Sequence, residues 1–177
     1  SRGLGDVYKR QAPKWSVNGK WAVMYDPIAQ VWNKFDGATG KVVNISDAIG
    51  YPMFVESYDK PAPAPAYGIA GWTADGNNVF LYDAYDWWKI DLTGERQPEC
   101  LTKGYGRKHG KSIRKMTSNI DKDVFQKDEK VIVSLWDKDT MDEGVYQLDM
   151  KGRLRKLMEG NYVYTIHRFS DNHEYCV

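Results

Sequence analysis

Short apolar runs separated by turn-forming residues make up most of the chain, and their spacing has the period of strands, with almost no helical periodicity. The clearest stretch runs from Gly68 to Thr102. Ala74-Asp75-Gly76-Asn77 is turn chemistry, Asn78-Val79-Phe80-Leu81-Tyr82 is a run of strand formers, and Asp83 to Asp86 is a polar connection. Trp87-Trp88-Lys89-Ile90-Asp91 follows as a second run, Leu92-Thr93-Gly94-Glu95 as a tight turn and Gln97 to Leu101 as a last strand. The order predicts a meander of short antiparallel strands.

This order recurs on both sides. Upstream it reads Trp15 to Asp26, Val31 to Asp36, then Thr39-Gly40-Lys41 and Val42 to Ile45, an offset of about 55 to 60 residues. Downstream it reads Asp128 to Leu135, Gly144 to Asp149, then Lys151-Gly152-Arg153 and Leu154 to Leu157. Asp36, Asp91 and Asp149 fall at matching places, each closing the second strand of its unit before a turn that contains Gly40, Gly94 or Gly152. Such a repeat is the sequence form of a propeller blade, a unit that cannot bury both of its faces alone. The expected fold is therefore all-β, a partial β-propeller of about three blades of four-stranded antiparallel meanders. The blades are expected at residues 12–50, 68–103 and 120–160, with a further one starting at 161–177.

Length sharpens this picture. At about 50 residues per blade, 177 residues hold roughly three, whereas closed propellers have about four to eight. The expectation is a part of a larger ring. Residues 1–11, SRGLGDVYKRQ, do not fit the repeat; they resemble a leader that recurs in translated metagenomic assemblies and are set aside as non-native. Tyr51 to Tyr67 carries Pro52 and the run Lys60-Pro61-Ala62-Pro63-Ala64-Pro65-Ala66, which reads as a surface connection between blades with little sheet pairing. A second reading of the same segment has it lying over one rim of the ring and shaping access there.

Charge and cysteines exclude little. A formal net charge of +1, with acids and bases interspersed, gives no argument for a nucleic-acid or membrane-surface partner. Cys100 and Cys176 lack metal-ligand spacing and read as unpaired, buried thiols. Asn44-Ile45-Ser46 fits a glycosylation sequon, a pattern frequent by chance.

Candidate chemistry is sparse. Gly110-Lys111-Ser112 has the tail of a phosphate-binding loop, but Tyr105 stands where the opening glycine belongs and no amphipathic helix follows. A solvated loop is the better reading, with Arg107 pairing a neighbouring carboxylate. Tyr82-Asp83-Ala84-Tyr85-Asp86-Trp87-Trp88 sets two carboxylates among aromatics, as sugar sites and glycosidases do. Because Tyr25-Asp26 and Trp32 repeat the arrangement, packing explains it better. Asp137 to Gly144 is acidic but lacks the ligand spacing of an EF-hand and reads as a solvated turn. No metal or cofactor site is expected.

With "YGIAGW" at Tyr67 to Trp72, "LYDAYDWWKIDLTG" at Leu81 to Gly94 and "LTKGYGRK" at Leu101 to Lys108, most of residues 12–177 resembles the N-terminal propeller of bacterial prolyl oligopeptidase family serine peptidases, in particular the large homologues of the Bacteroidota type. The resemblance implies a propeller that caps an α/β-hydrolase domain and restricts which peptides reach its serine. It also implies a periplasmic or secreted setting, with a peptide substrate and the hydrolase domain as partners. A Gly-x-Ser-x-Gly elbow followed by Asp and His is missing. Ser16, Ser46, Ser57, Ser112, Ser118, Ser134 and Ser170 lack the flanking glycines, and His109, His167 and His173 read as structural or solvated. No catalytic residue is expected in this chain. The expected role is substrate gating for a peptidase; the alternative is a stand-alone binding or scaffold propeller, with glycans as one ligand class.

Overall fold

The computed structural model describes residues 12–116, 123–160 and 163–164. Each apolar run becomes a strand, and each turn cluster reverses the chain, so that antiparallel meanders follow one another. The first sheet holds Lys14–Trp15 (β1), Trp21–Asp26 (β2), Val31–Asp36 (β3) and Val42–Asn44 (β4), in that order. The second holds Ile69–Thr73 (β5), Asn78–Tyr82 (β6), Trp87–Asp91 (β7) and Glu99–Cys100 (β8). A five-residue helix, Tyr105–His109 (α1), comes next. The third sheet is built from Lys111–Lys115 (β9), Lys130–Asp137 (β11), Glu143–Asp149 (β12) and Leu154–Gly160 (β13). Between β9 and β11 the chain leaves its own sheet, and Val124–Phe125 (β10) pairs in parallel with β5 through Val124 opposite Trp72 and Phe125 opposite Thr73. The protein is all-β, made of antiparallel four-stranded sheets of which the middle one gains this fifth strand.

The third sheet thus opens at Lys111, upstream of the 120–160 span read from the sequence. Residues 1–11 and nearly all of 161–177 lie outside the described residues, as do Ser118, His167, Ser170, His173 and Cys176.

The three sheets stack face to face through two apolar cores. Val23, Tyr25 and Trp32 of the first sheet meet Trp72, Val79, Leu81 and Ile90 of the second. Phe80, Tyr82 and Trp87, from the second, meet Ile113, Val133, Leu135, Tyr146 and Leu148 of the third, with Phe125 among them. Successive residues of β6 point to opposite faces, so Val79 and Leu81 serve one core and Phe80 and Tyr82 the other. Burial of these side chains is the main favourable contribution to the fold, roughly 1.5–3 kcal/mol for each large apolar group. Trp87 is fully buried, with its ring 5.3 Å from Tyr82, 6.3 Å from Phe80 and 6.2 Å from Phe125, centroid to centroid.

The repeat is carried by two aspartate turns in every sheet. Between the second and third strands, Asp26 accepts the amides of Ile28 and Ala29, Asp83 those of Tyr85 and Asp86, and Asp137 those of Asp139 and Thr140. After the third strand, Asp36 accepts from Ala38 and Thr39, Asp91 from Thr93, Glu95 and Arg96, and Asp149 from Lys151 and Arg153. An aspartate bonding its own backbone two or three residues on is a turn-nucleating device. In the second set the chain then passes through Gly40, Gly94 or Gly152 with φ of 70°, 85° and 80°. The acidic turn at Asp137 holds itself in this way.

The Tyr51–Tyr67 segment folds back on itself. Its only bridge of strand type among the described residues joins Phe54 to Ala66, with Val55 N–H donating to the Pro65 carbonyl at 2.9 Å. Buried Met53 and the Tyr25 hydroxyl, which donates to the Ala64 carbonyl at 3.1 Å, fasten the loop to the first sheet. Trp32 Nε1 is a buried donor with no partner among the described residues.

Two predictions follow from the turns. Gly152 is packed so that a Cβ would fall on the Leu101 carbonyl, whereas nothing lies near a Cβ at Gly40. Gly40→Ala should therefore cost only the left-handed backbone penalty, about 1 kcal/mol, and Gly152→Ala about 3 kcal/mol or more. Equal midpoint shifts of the two variants in denaturant unfolding would contradict this packing.

The second concerns acid. The Thr39 and Ala38 amides hold the Asp36 carboxyl below its ordinary range, and the Asp139 and Thr140 amides do the same at Asp137. Partial burial pushes Asp91 and Asp149 upward, but the donors of their turns outweigh it and both carboxyls are lowered. Carboxyls depressed in the folded state stabilise it above the unfolded value of about 3.9, and that contribution is lost as pH falls below it. Tm should stay level from neutral pH to about pH 5 and drop below about pH 4. Scanning calorimetry across that range checks it, and a Tm that rises on acidification would refute it.

Candidate functional site

The turn between β6 and β7 carries two carboxylates out of water, with Asp83 fully buried and Asp86 nearly so. A buried carboxylate is tolerable only when charge and hydrogen bonds replace its hydration. Both are supplied. Oδ2 of Asp83 accepts from the Arg107 guanidinium and from Trp88 Nε1, each at 3.0 Å, while Oδ1 takes the two turn amides. Asp86 Oδ1 accepts from the Thr102 hydroxyl at 2.6 Å and from Gly106 N–H at 2.9 Å, and Oδ2 from Arg107 N–H at 3.0 Å.

These bonds explain why Gly104 to Gly110 is ordered. Asp86 holds the first amides of α1, which ends at Gly110 in a left-handed cap, and Gly106 is buried. The expectation of a solvated loop is corrected here: the segment is a short helix tied to a buried carboxylate, followed directly by β9. Gly110-Lys111-Ser112 therefore leads into a strand, the wrong setting for a phosphate loop. The expected pairing of Arg107 with a carboxylate is present, through Asp83. Its guanidinium lies 3.7 Å from the Tyr51 ring centroid and 5.1 Å from that of Tyr85, a cation sandwiched by aromatic faces.

A second arginine stands beside the first, with different partners. Arg114, on β9, donates Nη1 to the Ile113 carbonyl at 2.8 Å and Nη2 to the carbonyls of Asp83 at 2.7 Å and Ala84 at 3.1 Å. Tyr82 and Tyr67 flank it at 4.7 and 5.4 Å. Burial pulls the guanidinium below its ordinary value, although it remains a cation. Burial likewise pushes the Tyr82 phenol up to about 12, and its oxygen accepts from Lys115 N–H at 3.2 Å.

Arg114 lines a cavity of about 430 Å³ whose walls come from four places. The 51–67 loop contributes Glu56 and Tyr67, the β6–β7 turn Tyr85, β9 Ser112, and the end of β11 Trp136 and Lys138. The 51–67 loop thus forms part of this wall through residues on either side of its proline run.

The described residues offer binding surfaces but no assembled catalytic group. The serine hydroxyls of Ser16 and Ser46 serve turns, accepting Trp21 N–H and Trp32 N–H. His109 stacks on Tyr105 at 4.3 Å between centroids. Cys100 is half-buried, and burial raises its thiol above the ordinary value. No cluster of three metal-ligating side chains occurs among the described residues, and no helix there is long and apolar enough to cross a membrane. Asp83 and Asp86 are saturated by their donors, so neither is placed to protonate or attack a sugar. The packing interpretation of this stretch accounts for them.

Comparison with known proteins finds no matching family model and no matching curated protein. The three stretches singled out in the sequence nevertheless meet in space: Tyr67 on the cavity wall, Asp83 and Asp86 at the turn, and Thr102 to Arg107 bonded to both carboxylates. Arg114 was missed by the sequence reasoning. Ile113 is the one apolar residue between Lys111 and Lys115, so the sequence carried almost no signal for β9.

The energetic weight of this network is measurable. Asp86→Ala strands the buried Thr102 hydroxyl and Gly106 amide, at about 1–3 kcal/mol for each unsatisfied group, and should lower the unfolding free energy by roughly 3 kcal/mol. Asp86→Asn retains an acceptor oxygen and should cost less. Urea unfolding of both variants is the check; an Ala variant as stable as the parent would mean the carboxylate does not organise α1.

Proposed function

We propose that this chain forms blades of a β-propeller that governs which peptides reach the catalytic domain of a prolyl-oligopeptidase-like serine peptidase, and that these blades perform no hydrolysis themselves. The observation that carries the reading is the repeated unit: a meander with two aspartate turns at fixed places, three times over, stacked face to face. Units of this kind build rings by adding neighbours of the same form. In support, two of the stretches that resemble the peptidase propeller, Leu81 to Gly94 and Leu101 to Lys108, share one buried polar network. A ring of stacked sheets discriminates by steric access: an extended or short peptide passes a narrow channel and a folded protein does not. Catalysis then requires a serine elbow supplied by a separate domain.

The rival assignment, a propeller that binds glycans through the Tyr82 to Trp88 aromatics, is weakened by burial. Tyr82 and Trp87 belong to the core between the second and third sheets and present no platform to a sugar, which leaves that stretch only the partly buried Tyr85 and Trp88.

A fluorophosphonate probe, which labels activated serines, should leave the 177-residue chain unmodified. Stoichiometric labelling of any serine would overturn the non-catalytic assignment. The peptidase assignment is tested by reading the gene beyond the codon for Val177. Further copies of the unit, then a Gly-x-Ser-x-Gly elbow followed by Asp and His, are expected; a stop codon without an elbow would favour a binding propeller.

A further inference from the structure

We propose that the cavity walled by the 51–67 loop, the β6–β7 turn, β9 and the end of β11 binds the free C-terminal carboxylate of a short peptide, with Arg114 as the group that holds it. The choice of a peptide over any other carboxylic acid rests on the peptide-handling function proposed above. The choice of a carboxylate rests on the site alone.

Arg114 is a cation hydrogen-bonded to carbonyl dipoles, with Asp83 and Asp86 acting on it only from beyond ion-pair distance. Its three hydrogen bonds all go to main-chain carbonyls, and no carboxylate among the described residues lies within ion-pair distance of it. This distinguishes it from Arg107, which is neutralised by Asp83 at 3.0 Å. A guanidinium has five N–H donors in a planar fork. Three are used by the carbonyls, which leaves the Nε–H and one Nη1–H without a partner among the described residues. With both Nη2 donors taken, these two point along different edges of the fork, so each offers a carboxylate oxygen a single charge-assisted hydrogen bond and not a chelating pair.

The surroundings narrow the ligand further. Ser112, two positions before Arg114 on the same strand, also lines the cavity, and its hydroxyl makes no hydrogen bond among the described residues. Lys138 stands exposed at the wall, with its ammonium 5.9 Å from the Tyr85 centroid, and adds a second positive charge on the approach. Glu56 lies on the same wall. Its negative charge opposes a doubly charged phosphate and suits the N–H groups of a peptide behind its terminal carboxylate. Tyr67, Tyr85 and Trp136 supply aromatic surface for the last side chain. A volume of about 430 Å³ falls in the small-ligand range of about 300–1,000 Å³. Capture of a peptide's terminal carboxylate is a recurring recognition mode.

Isothermal titration calorimetry on the full chain tests the assignment with three probes: the dipeptide alanyl-phenylalanine, its C-terminal amide, and inorganic phosphate. The dipeptide acid should bind, with the amide and phosphate roughly tenfold weaker or worse. Arg114→Gln should abolish binding of the acid. Because Arg114 also braces the Asp83–Ala84 carbonyls, Lys138→Ala and Ser112→Ala provide a second measure; both should fold as the parent by circular dichroism and bind the acid several-fold more weakly. Absence of binding, equal affinity for acid and amide, phosphate binding as tight as the acid, or unchanged affinity in these variants would each overturn the proposal. The two claims fail separately. A gene without a serine elbow leaves the carboxylate site intact, and a cavity that binds no peptide leaves steric gating intact.

Discussion

The middle sheet has no face turned to water, and the rest of the structure follows from that constraint. With Val79 and Leu81 committed to one core and Phe80 and Tyr82 to the other, neither flanking sheet can be removed without exposing a full apolar surface. The flanking sheets are held accordingly, and polar ties are added where their turns touch. The Asn18 amide donates to the Asp75 carbonyl at 2.9 Å, and the Lys34 ammonium to the Leu92 carbonyl at 2.7 Å. Each links a turn or strand of the first sheet to a turn of the second, so these two units are joined by polar contacts as well as by their shared core.

Asp83 shows how a repeated element acquires a local role. Asp26 and Asp137 stand at the same place in their sheets and perform the same turn-forming task near the surface. At Asp83 the stacking of a sheet on either side removes the water, and the second carboxylate oxygen then needs donors that the turn does not provide. Arg107 and Trp88 meet that need. Asp86 extends the same arrangement to α1, and the backbone carbonyls exposed by this tight turn are what Arg114 bonds. A structural carboxylate therefore organises the wall of a cavity that it does not enter.

Much of this was legible in the chain because strands and turns are local. Asp36, Asp91 and Asp149, with the glycines after them, end a strand in every sheet where their spacing indicated, although it is the third strand of each sheet and not the second, because a strand precedes each unit as read. The run Asn78 to Tyr82 was legible for another reason: a strand buried on both sides reads as continuous apolar sequence. β9 was not legible, because Lys111, Arg114 and Lys115 hide its alternation and only Ile113 among them is fully buried. β10 was beyond reach, since two residues in parallel pairing carry no pattern of their own. The cavity was hidden for a deeper reason. Glu56, Tyr85, Arg114 and Lys138 are distant in sequence, and only the stacking of sheets brings them to one wall.

The excursion of β10 has a consequence for how the protein is made. β5 is complete early in synthesis, yet its outer edge is paired only when Val124 and Phe125 arrive from a segment belonging to the next repeat. Until then the second sheet presents open backbone donors and acceptors along β5, and Phe125 is missing from the cluster around Phe80 and Trp87. Closing so long a loop costs entropy before any contact repays it. The second sheet is therefore completed only after the third has begun to emerge from the ribosome, and a chaperone that shields a nascent strand edge would act in that interval.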